Sequence, residues 1–213
     1  MITRIFFLVL FLISVLFYLK LDWTITHSLS RQLHFFKSKP NKNDILFCGD
    51  SNVELFNYNL LKSNKYYNYG ISGEKISGLT KRIDNILKRD SNQLFFLIGA
   101  NDLLANRSKI SIQNDLDELF FEISKFSSQK NISFFSIYPF GQNRNNAEST
   151  IHTNKYIEFL CSKFNFNYLN IYDSLINQGG FLDCNFSSDG LHLNIVGQNL
   201  ISRILNENSV CKN

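Results

Sequence analysis

The sequence predicts an α/β protein with a five-stranded parallel sheet, and two observations carry this prediction. Short apolar runs alternate along the chain with longer stretches of helical spacing, and 44% of the 213 residues are hydrophobic, enough for one well-buried domain. Strands that alternate with helices form a parallel sheet covered by helices on both faces. Ligands of such three-layer proteins bind at the carboxyl ends of the strands.

The predicted strands are the apolar runs at 44–48, 66–69, 93–98, 132–138 and 167–171. The predicted helices lie at 52–62, 76–89, 110–129, 149–165 and 194–207. In the third of these, apolar side chains recur at helical spacing on one stripe: Ile112, Leu116, Leu119, Phe120, Ile123 and Phe126. The last helix begins at Asn194, a residue type that caps helix N-termini well.

The amino terminus is distinct from this globular part. We divide the chain into a membrane anchor or signal segment at 1–23, a polar basic linker at 24–43 and a globular domain at 44–213. The apolar run from Ile5 to Leu19 would span about 22 Å as a helix, less than the hydrocarbon core of about 30 Å. It fits either a signal-peptide core or a short anchor.

We expect an uncleaved anchor, because the best small-residue pattern for cleavage, at 28–30, is weak. A buried helix of the domain is disfavoured because every face of the segment is apolar. Positive charge after the segment exceeds that before it, which does not favour an exported domain. Terminal hydrophobic segments nonetheless usually serve export, so we expect the domain outside the cytoplasm, in the periplasm or at the cell surface.

The composition also argues against some classes of protein. The net charge is only +4 and the basic residues are scattered, so no nucleic-acid-binding surface is expected. None of the four cysteines forms a C-x-x-C pair or zinc-type spacing with a histidine, which argues against a structural metal. Cys48 lies in an apolar strand-like run and is predicted to be a buried free thiol.

Polar motifs follow the predicted strands, and Ser51 in "CGDSNVELF" is the first candidate. It stands between a strand and a helix, so its hydroxyl would lie at a helix N-terminus, where negative charge is favoured. In isolation, a serine in such a motif is more often a plain N-cap. The motif is not a G-x-S-x-G elbow, which disfavours an α/β-hydrolase.

An oxyanion site is the second requirement of serine catalysis. The candidate donors are the backbone N–H of Ser51, the backbone N–H of Gly73 in "NYGISGE" and the side-chain amide of Asn101 in "LIGAND". Glycine carries no side chain to obstruct a substrate. Each of these residues alone also fits an ordinary loop or turn.

The base would be His192 in "SSDGLHLN", since a serine hydroxyl needs a base within hydrogen-bond reach. Asp189, three residues earlier, could hold the imidazole in the right tautomer. Two other histidines, His27 and His34, lie in the linker, and His152 lies in a predicted helix with no acid three residues before it. The alternative is a simple polar turn at 189–190, which leaves the serine without a partner.

Four segments together resemble, in order and spacing, the sequence blocks of the SGNH (GDSL) hydrolases: "FCGDSNVELF", "YNYGISGEKISGL", "FFLIGANDLL" and "SSDGLHLNIVGQNL". The resemblance covers about residues 44–205 and implies a flavodoxin-like fold. It implies Ser51 as nucleophile, His192 as base and Asp189 as the acid that orients it, and it implies Gly73 and Asn101 as oxyanion donors. One departure is Asn52, where many relatives carry an apolar residue.

The resemblance implies a serine esterase that forms an acyl-enzyme and needs no metal or organic cofactor. The acyl groups of the family suggest a short acyl ester, such as acetyl. The anchor suggests an envelope carbohydrate or a lysophospholipid as the alcohol part. Two alternatives stay open: an O-acyltransferase acting on a polysaccharide, which would use the same residues, and a non-catalytic binding protein of the same fold.

Overall fold

The computed structural model describes residues 2–62, 65–126, 128, 130–141 and 144–207, without the side chains of 2–8, 21–24, 36, 144 and 145. It divides into two compact units, Met1–Ser38 and Lys39–Asn213.

The first unit is helix α1, Ile2–Lys37. Within it, Val9–Phe35 is long and apolar enough to cross a membrane, by length and composition. Its 27 residues span about 40 Å as a helix, more than the hydrocarbon core of about 30 Å. Much of the predicted linker is therefore helical, because apolar residues continue at i,i+4 spacing through Ile25, Leu29 and Leu33. The division into anchor and linker stays a prediction.

The second unit contains the predicted five-stranded parallel sheet. Its strands are β1 (Ile45–Gly49), β2 (Tyr66–Gly70), β3 (Gln93–Leu97), β4 (Asn131–Phe135) and β5 (Asn167–Leu169). They pair in the order β2-β1-β3-β4-β5, and every pair is parallel. This order is that of flavodoxin-like folds. The predicted fold class is therefore confirmed.

The helices are α2 (Ser51–Glu54), α3 (Ile76–Leu87), α4 (Ala100–Leu104), α5 (Lys109–Ser124), α6 (Arg144–Phe164) and α7 (Ile195–Glu207). The predicted helix at 52–62 is wrong in form. The chain leaves α2 after one turn and forms a short 3-10 helix, Tyr58–Leu60, whose first turn is capped by the Asn57 side chain. Helix α4 has no counterpart among the predicted helices, because five residues are too few to show apolar periodicity.

Phenylalanines fill both faces of the sheet. On one face, Phe95 stacks between Phe47 and Phe135, with ring centroids 5.2 and 5.6 Å away, in a cluster that α7 also joins. On the other face, Phe134 stacks on Phe96 at 4.9 Å and on Phe120 of α5 at 4.2 Å. Helices thus cover both faces, and the carboxyl ends of the parallel strands share one edge.

Candidate active site

Ser51 is the first residue of α2, directly beyond the carboxyl end of β1. Asp50 caps the helix, because its Oδ1 accepts the backbone N–H of Asn52 at 2.9 Å. Helix α2 also packs closely on the end of β2, where a Cβ added to Gly70 would lie 2.4 Å from the backbone nitrogen of Glu54. Only glycine allows this approach, which fixes where the serine stands.

The structure brings three of the predicted residues into one chain of hydrogen bonds. Ser51 Oγ lies 2.9 Å from His192 Nε2, and His192 Nδ1 lies 2.7 Å from Asp189 Oδ2. The serine is buried, whereas the histidine and aspartate side chains are 31% and 52% exposed. A hydroxyl, an imidazole and a carboxylate therefore stand in contact at one edge of the sheet, an arrangement that can activate a serine.

A short loop carries the histidine and the aspartate, and we call residues 187–193 the acid–base loop. An antiparallel bridge between Ser187 and Leu193 closes it. Inside it, Asp189 Oδ1 accepts the backbone N–H groups of Leu191 at 2.9 Å and His192 at 2.7 Å. The same carboxylate thus shapes the turn with one oxygen and holds the imidazole with the other.

The charge of Asp189 is well stabilised. Partial burial alone would raise the pKa of this carboxyl, but the hydrogen bonds from the His192 ring and from two backbone N–H groups lower it far below its usual range. The aspartate is therefore ionised at neutral pH and accepts a hydrogen bond from His192 Nδ1, which leaves Nε2 free to accept one from the serine.

Asn194, directly after the loop, caps α7 through Val196 N–H and Gly197 N–H, as predicted.

Two backbone donors at this edge are unused. The N–H groups of Ser51 and Gly73 donate no hydrogen bond within the part of the chain that the structure describes. Gly73 has φ +79, a left-handed conformation that favours glycine, and a Cβ placed on it would meet nothing within 4 Å. The space on the side of Gly73 where a side chain would stand is therefore open.

Asn101 lies on α4, and its Nδ2 donates to the backbone oxygen of Glu74 at 3.0 Å. An amide nitrogen has two hydrogens, so one donor remains. The next residue, Asp102, accepts the N–H of Ile76 at 3.0 Å, at the start of α3. Adjacent residues of α4 thus hold both ends of the segment that directly follows Gly73.

Residues 71–75 contain the candidate oxyanion donor Gly73, and we call them the oxyanion loop. Two charged contacts behind this loop were not predicted from the sequence. Arg82 Nε donates to Glu74 Oε1 at 2.7 Å in an ion pair whose side chains are almost fully buried. Glu54 Oε2 accepts both the N–H and the hydroxyl of Ser72, at 2.6 and 2.7 Å. Since Glu54 ends α2, this contact joins the helix that carries Ser51 directly to the oxyanion loop. No local motif marks such partners.

Cys48 is buried and free, as predicted, and burial raises the pKa of its thiol to about 12. Cys161 is likewise buried and free, Cys184 is exposed, and Cys211 lies outside the described residues. In the described ranges, no group of three or more His, Cys, Asp or Glu side chains is placed to hold a metal ion.

Comparison with known families gives the class of protein. Residues 41–200 match the model of the GDSL-like lipase/acylhydrolase family, which is most of the chain. The protein therefore belongs to this family, and it is an ester-hydrolysing enzyme. Curated protein sequences gave no match.

Solved structures show the same fold. A Streptococcus pneumonia protein, provisionally designated a platelet activating factor, superposes with a TM-score of 0.81 at 25% identity, over 92% of this chain and 98% of that one. A GDSL-like lipase from Bacteroides thetaiotaomicron gives 0.72 at 15% identity, over 87% and 96%. The lipase/acylhydrolase from Enterococcus faecalis gives 0.62 at 17% identity, over 79% and 95%.

Proposed function

We propose that this enzyme is a serine esterase that works through a covalent acyl-enzyme, with Ser51 as nucleophile, His192 as general base and Asp189 as the residue that orients the base. The observation that carries the proposal is the unbroken hydrogen-bond chain from Ser51 Oγ through the imidazole to the carboxylate, at 2.9 and 2.7 Å.

In the first half-reaction, Ser51 Oγ forms a bond to the acyl carbon while His192 Nε2 takes the hydroxyl proton. The carbonyl electron pair moves onto oxygen and gives a tetrahedral oxyanion. The bond from carbon to the alcohol oxygen then breaks, and the Nε2 proton passes to the leaving alcohol. Water repeats these steps on the acyl-enzyme and releases the acid.

The oxyanion would be held by three donors: Ser51 N–H, Gly73 N–H and the remaining hydrogen on Asn101 Nδ2. Two facts support this assignment. The backbone donors have no partner within the described chain, and the space where a side chain of Gly73 would stand is open. Donors that are fixed before the reaction stabilise the charge that develops on oxygen without reorganising.

For the substrate, we propose a short acyl ester, such as an acetyl ester, of an envelope carbohydrate or a lysophospholipid. A crevice lined by Ser51 and His192 holds only about 10 Å³ of space for the centres of water-sized spheres. This is below the range of about 300–1,000 Å³ typical of sites for drug-sized ligands. A small ester fits this site better than one with a long hydrocarbon chain does.

Hydrolysis of p-nitrophenyl acetate, butyrate, octanoate and palmitate by the full-length protein in detergent tests this proposal. We expect rates to fall with acyl length and Ser51→Ala to lose about 10⁶ in kcat. The circular dichroism spectrum of Ser51→Ala should match the wild type. Full activity in a folded Ser51→Ala protein would end the triad assignment, and a preference for palmitate would overturn the short-acyl substrate.

We also propose that α1 anchors the chain in the membrane with the catalytic domain on the extracytoplasmic side. In a Cys211→Ser background, a membrane-impermeant maleimide should label the exposed Cys184 in intact cells, since Cys48 and Cys161 are buried. A Cys184→Ser variant gives the unlabelled control. Labelling only after cell lysis would place the domain on the cytoplasmic side.

A further inference from the structure

The crevice beside the nucleophile contains a polar group that the catalytic steps do not use. Asn52 and Tyr138 line it together with Ser51 and His192, and both also line a second, internal cavity against the sheet. Neither Gly73 nor Asn101 borders the crevice. The crevice therefore lies on the histidine side of the serine, away from the proposed oxyanion donors.

Asn52 holds an unsatisfied acceptor at this place. The residue is only 9% exposed, and its Oδ1 is buried without a hydrogen-bond partner among the described residues. Burial raises the pKa of the nearby Asp50 carboxyl, and the Asn52 side chain offsets part of this rise. Asn52 borders both the crevice and the second cavity, and Oδ1 is the end of its amide that lacks a partner among the described residues.

The neighbouring amide shows what a satisfied side chain looks like here. Gln198 also borders the crevice, but its Oε1 accepts the N–H of Asn57 at 2.7 Å and its Nε2 donates to Leu193 O at 2.9 Å. Gln198 is therefore occupied in holding the fold. Asn52 Oδ1 has no such partner, although burial makes an unpaired acceptor unfavourable.

Tyr138 adds a second hydrogen-bonding group. Its ring is buried, and its hydroxyl forms no hydrogen bond with the residues that the structure describes. Burial and the nearby Asp50 carboxylate raise the pKa of this phenol, so the hydroxyl keeps its proton and can both donate and accept. The crevice thus offers an acceptor and a hydroxyl within otherwise largely apolar walls.

The proposed reaction indicates which part of the ester lies in the crevice, on the histidine side of Ser51. His192 Nε2 must pass its proton to the leaving oxygen, so the alcohol part of the ester lies against the histidine. A hydrocarbon alcohol would bury Asn52 Oδ1 with no donor. An alcohol with further hydroxyl groups would supply one, and sites built to bind a hydroxyl reject analogues that lack it.

We propose that this crevice is the alcohol subsite, and that Asn52 and Tyr138 select esters of polyhydroxylated alcohols, which is the chemistry of carbohydrates. The inference rests on the proposed function and narrows its two substrate classes to the carbohydrate one. A neighbouring hydroxyl of the alcohol donates to Asn52 Oδ1, and a second hydroxyl exchanges a hydrogen bond with Tyr138.

The test compares two esters that differ only in hydroxyl groups, 2,3-dihydroxypropyl acetate and n-propyl acetate, with the full-length enzyme. We expect kcat/KM to favour the diol ester by about tenfold or more in the wild type. In Asn52→Leu, which has nearly the same shape but no acceptor, the ratio should fall toward one. Tyr138→Phe should lower it less. The ratio cancels any difference in the amount of active enzyme between preparations.

Asn199→Leu is the matched control, because Asn199 is exposed on α7 and does not border the crevice. It should keep the wild-type ratio. An unchanged ratio in Asn52→Leu, or a wild type with no preference for the diol ester, overturns the subsite while the esterase stands. Failure of the wild type to hydrolyse either ester overturns the proposed function, and the subsite with it.

Discussion

The two halves of the site are held in opposite ways. Behind the oxyanion loop, a buried ion pair joins Glu74 of the loop to Arg82 of α3, and the half-buried Glu54 of α2 binds Ser72. On the other side, Asp189 and His192 are 52% and 31% exposed, and their supporting bonds stay within a few residues.

This difference has a consequence for stability and activity. A charge removed from the buried half leaves its partner uncompensated in a low dielectric, which is costly to the fold. A side chain removed from the exposed half leaves its partners in contact with water. Its loss therefore costs the fold little stability. Variants of the acid–base loop should therefore separate activity from stability more cleanly than variants behind the oxyanion loop.

Among the variants that test this difference, the largest effect is expected for Asp189→Asn, with a loss of about 10⁴ in kcat. The amide can keep one oxygen on the turn, but it then presents an N–H toward His192 Nδ1. The imidazole must accept there and carry its proton on Nε2, where it cannot take the proton of Ser51. Kinetics on p-nitrophenyl acetate would measure the loss, with Asp84→Asn, at an exposed position on α3, as control. If the melting temperature of Asp189→Asn fell by many degrees, the acid–base loop would contribute to stability as well as to activity.

Asn101→Ala is the next largest, with a loss of about 10²–10³ in kcat and little change in KM, because an oxyanion donor acts mainly on the transition state. Separate kcat and KM values on p-nitrophenyl acetate distinguish the two effects. A change confined to KM would reassign Asn101 to binding of the ground-state ester.

The sequence predicted the exposed half better than the buried one, and the reason is the range of the contacts. Asp189 and His192 are three residues apart, and their turn is made by backbone groups next to them, so one short segment contains the whole interaction. Glu54 and Ser72 are 18 residues apart and meet only because α2 packs on the end of β2. Nothing in either segment alone indicates that partner.

The fold shows the same limit. The strand runs and the stripe of α5 depend on local periodicity, and they were predicted correctly except for Phe126, which lies beyond the end of the helix. Helix α2 ends after one turn instead of continuing to residue 62, because Asn57 starts a separate 3-10 turn and Tyr58 buries its ring against Phe47, at 4.9 Å between centroids. Tertiary packing therefore determines where α2 ends, and it overrides the helical spacing of the sequence.

Glu54→Gln tests the link between helix α2 and the oxyanion loop. Gln offers a neutral oxygen in place of a carboxylate that accepts two hydrogen bonds, so we expect the loop to loosen and kcat to fall about ten- to a hundredfold with little change in KM. Ser72→Ala removes one of the same two bonds. If the contact acts as one unit, the double variant loses less than the product of the two single losses. Fully multiplicative losses would mean that the residues act independently.

The smallest effect on activity is expected for Asp50→Asn. This variant instead tests the opposite pKa shifts of two aspartates of the site, Asp50 and Asp189. Burial raises the pKa of Asp50 to about 7, and its Oδ2 has no hydrogen-bond partner among the described residues, whereas the pKa of Asp189 is lowered. The raised pKa means that the folded state holds a proton that the unfolded chain, with an aspartate pKa of about 3.9, has already lost. Asp50 therefore lowers stability progressively as pH rises from about 4 to 7, by up to about 4 kcal/mol.

Asn keeps an oxygen that can cap α2 through the Asn52 N–H, but it carries no charge to bury. We therefore expect Asp50→Asn to raise the melting temperature at pH 8, where the wild-type carboxyl is ionised, and to change it little at pH 5, where that carboxyl is protonated. Thermal unfolding at the two pH values measures the difference, and Asp189→Asn, at an aspartate with the opposite shift, should show no gain at pH 8. An equal change for Asp50→Asn at both pH values would mean that the buried carboxyl does not titrate in this range. The Asp50 carboxylate would then stay ionised at both pH values, stabilised by contacts other than the ones described for it.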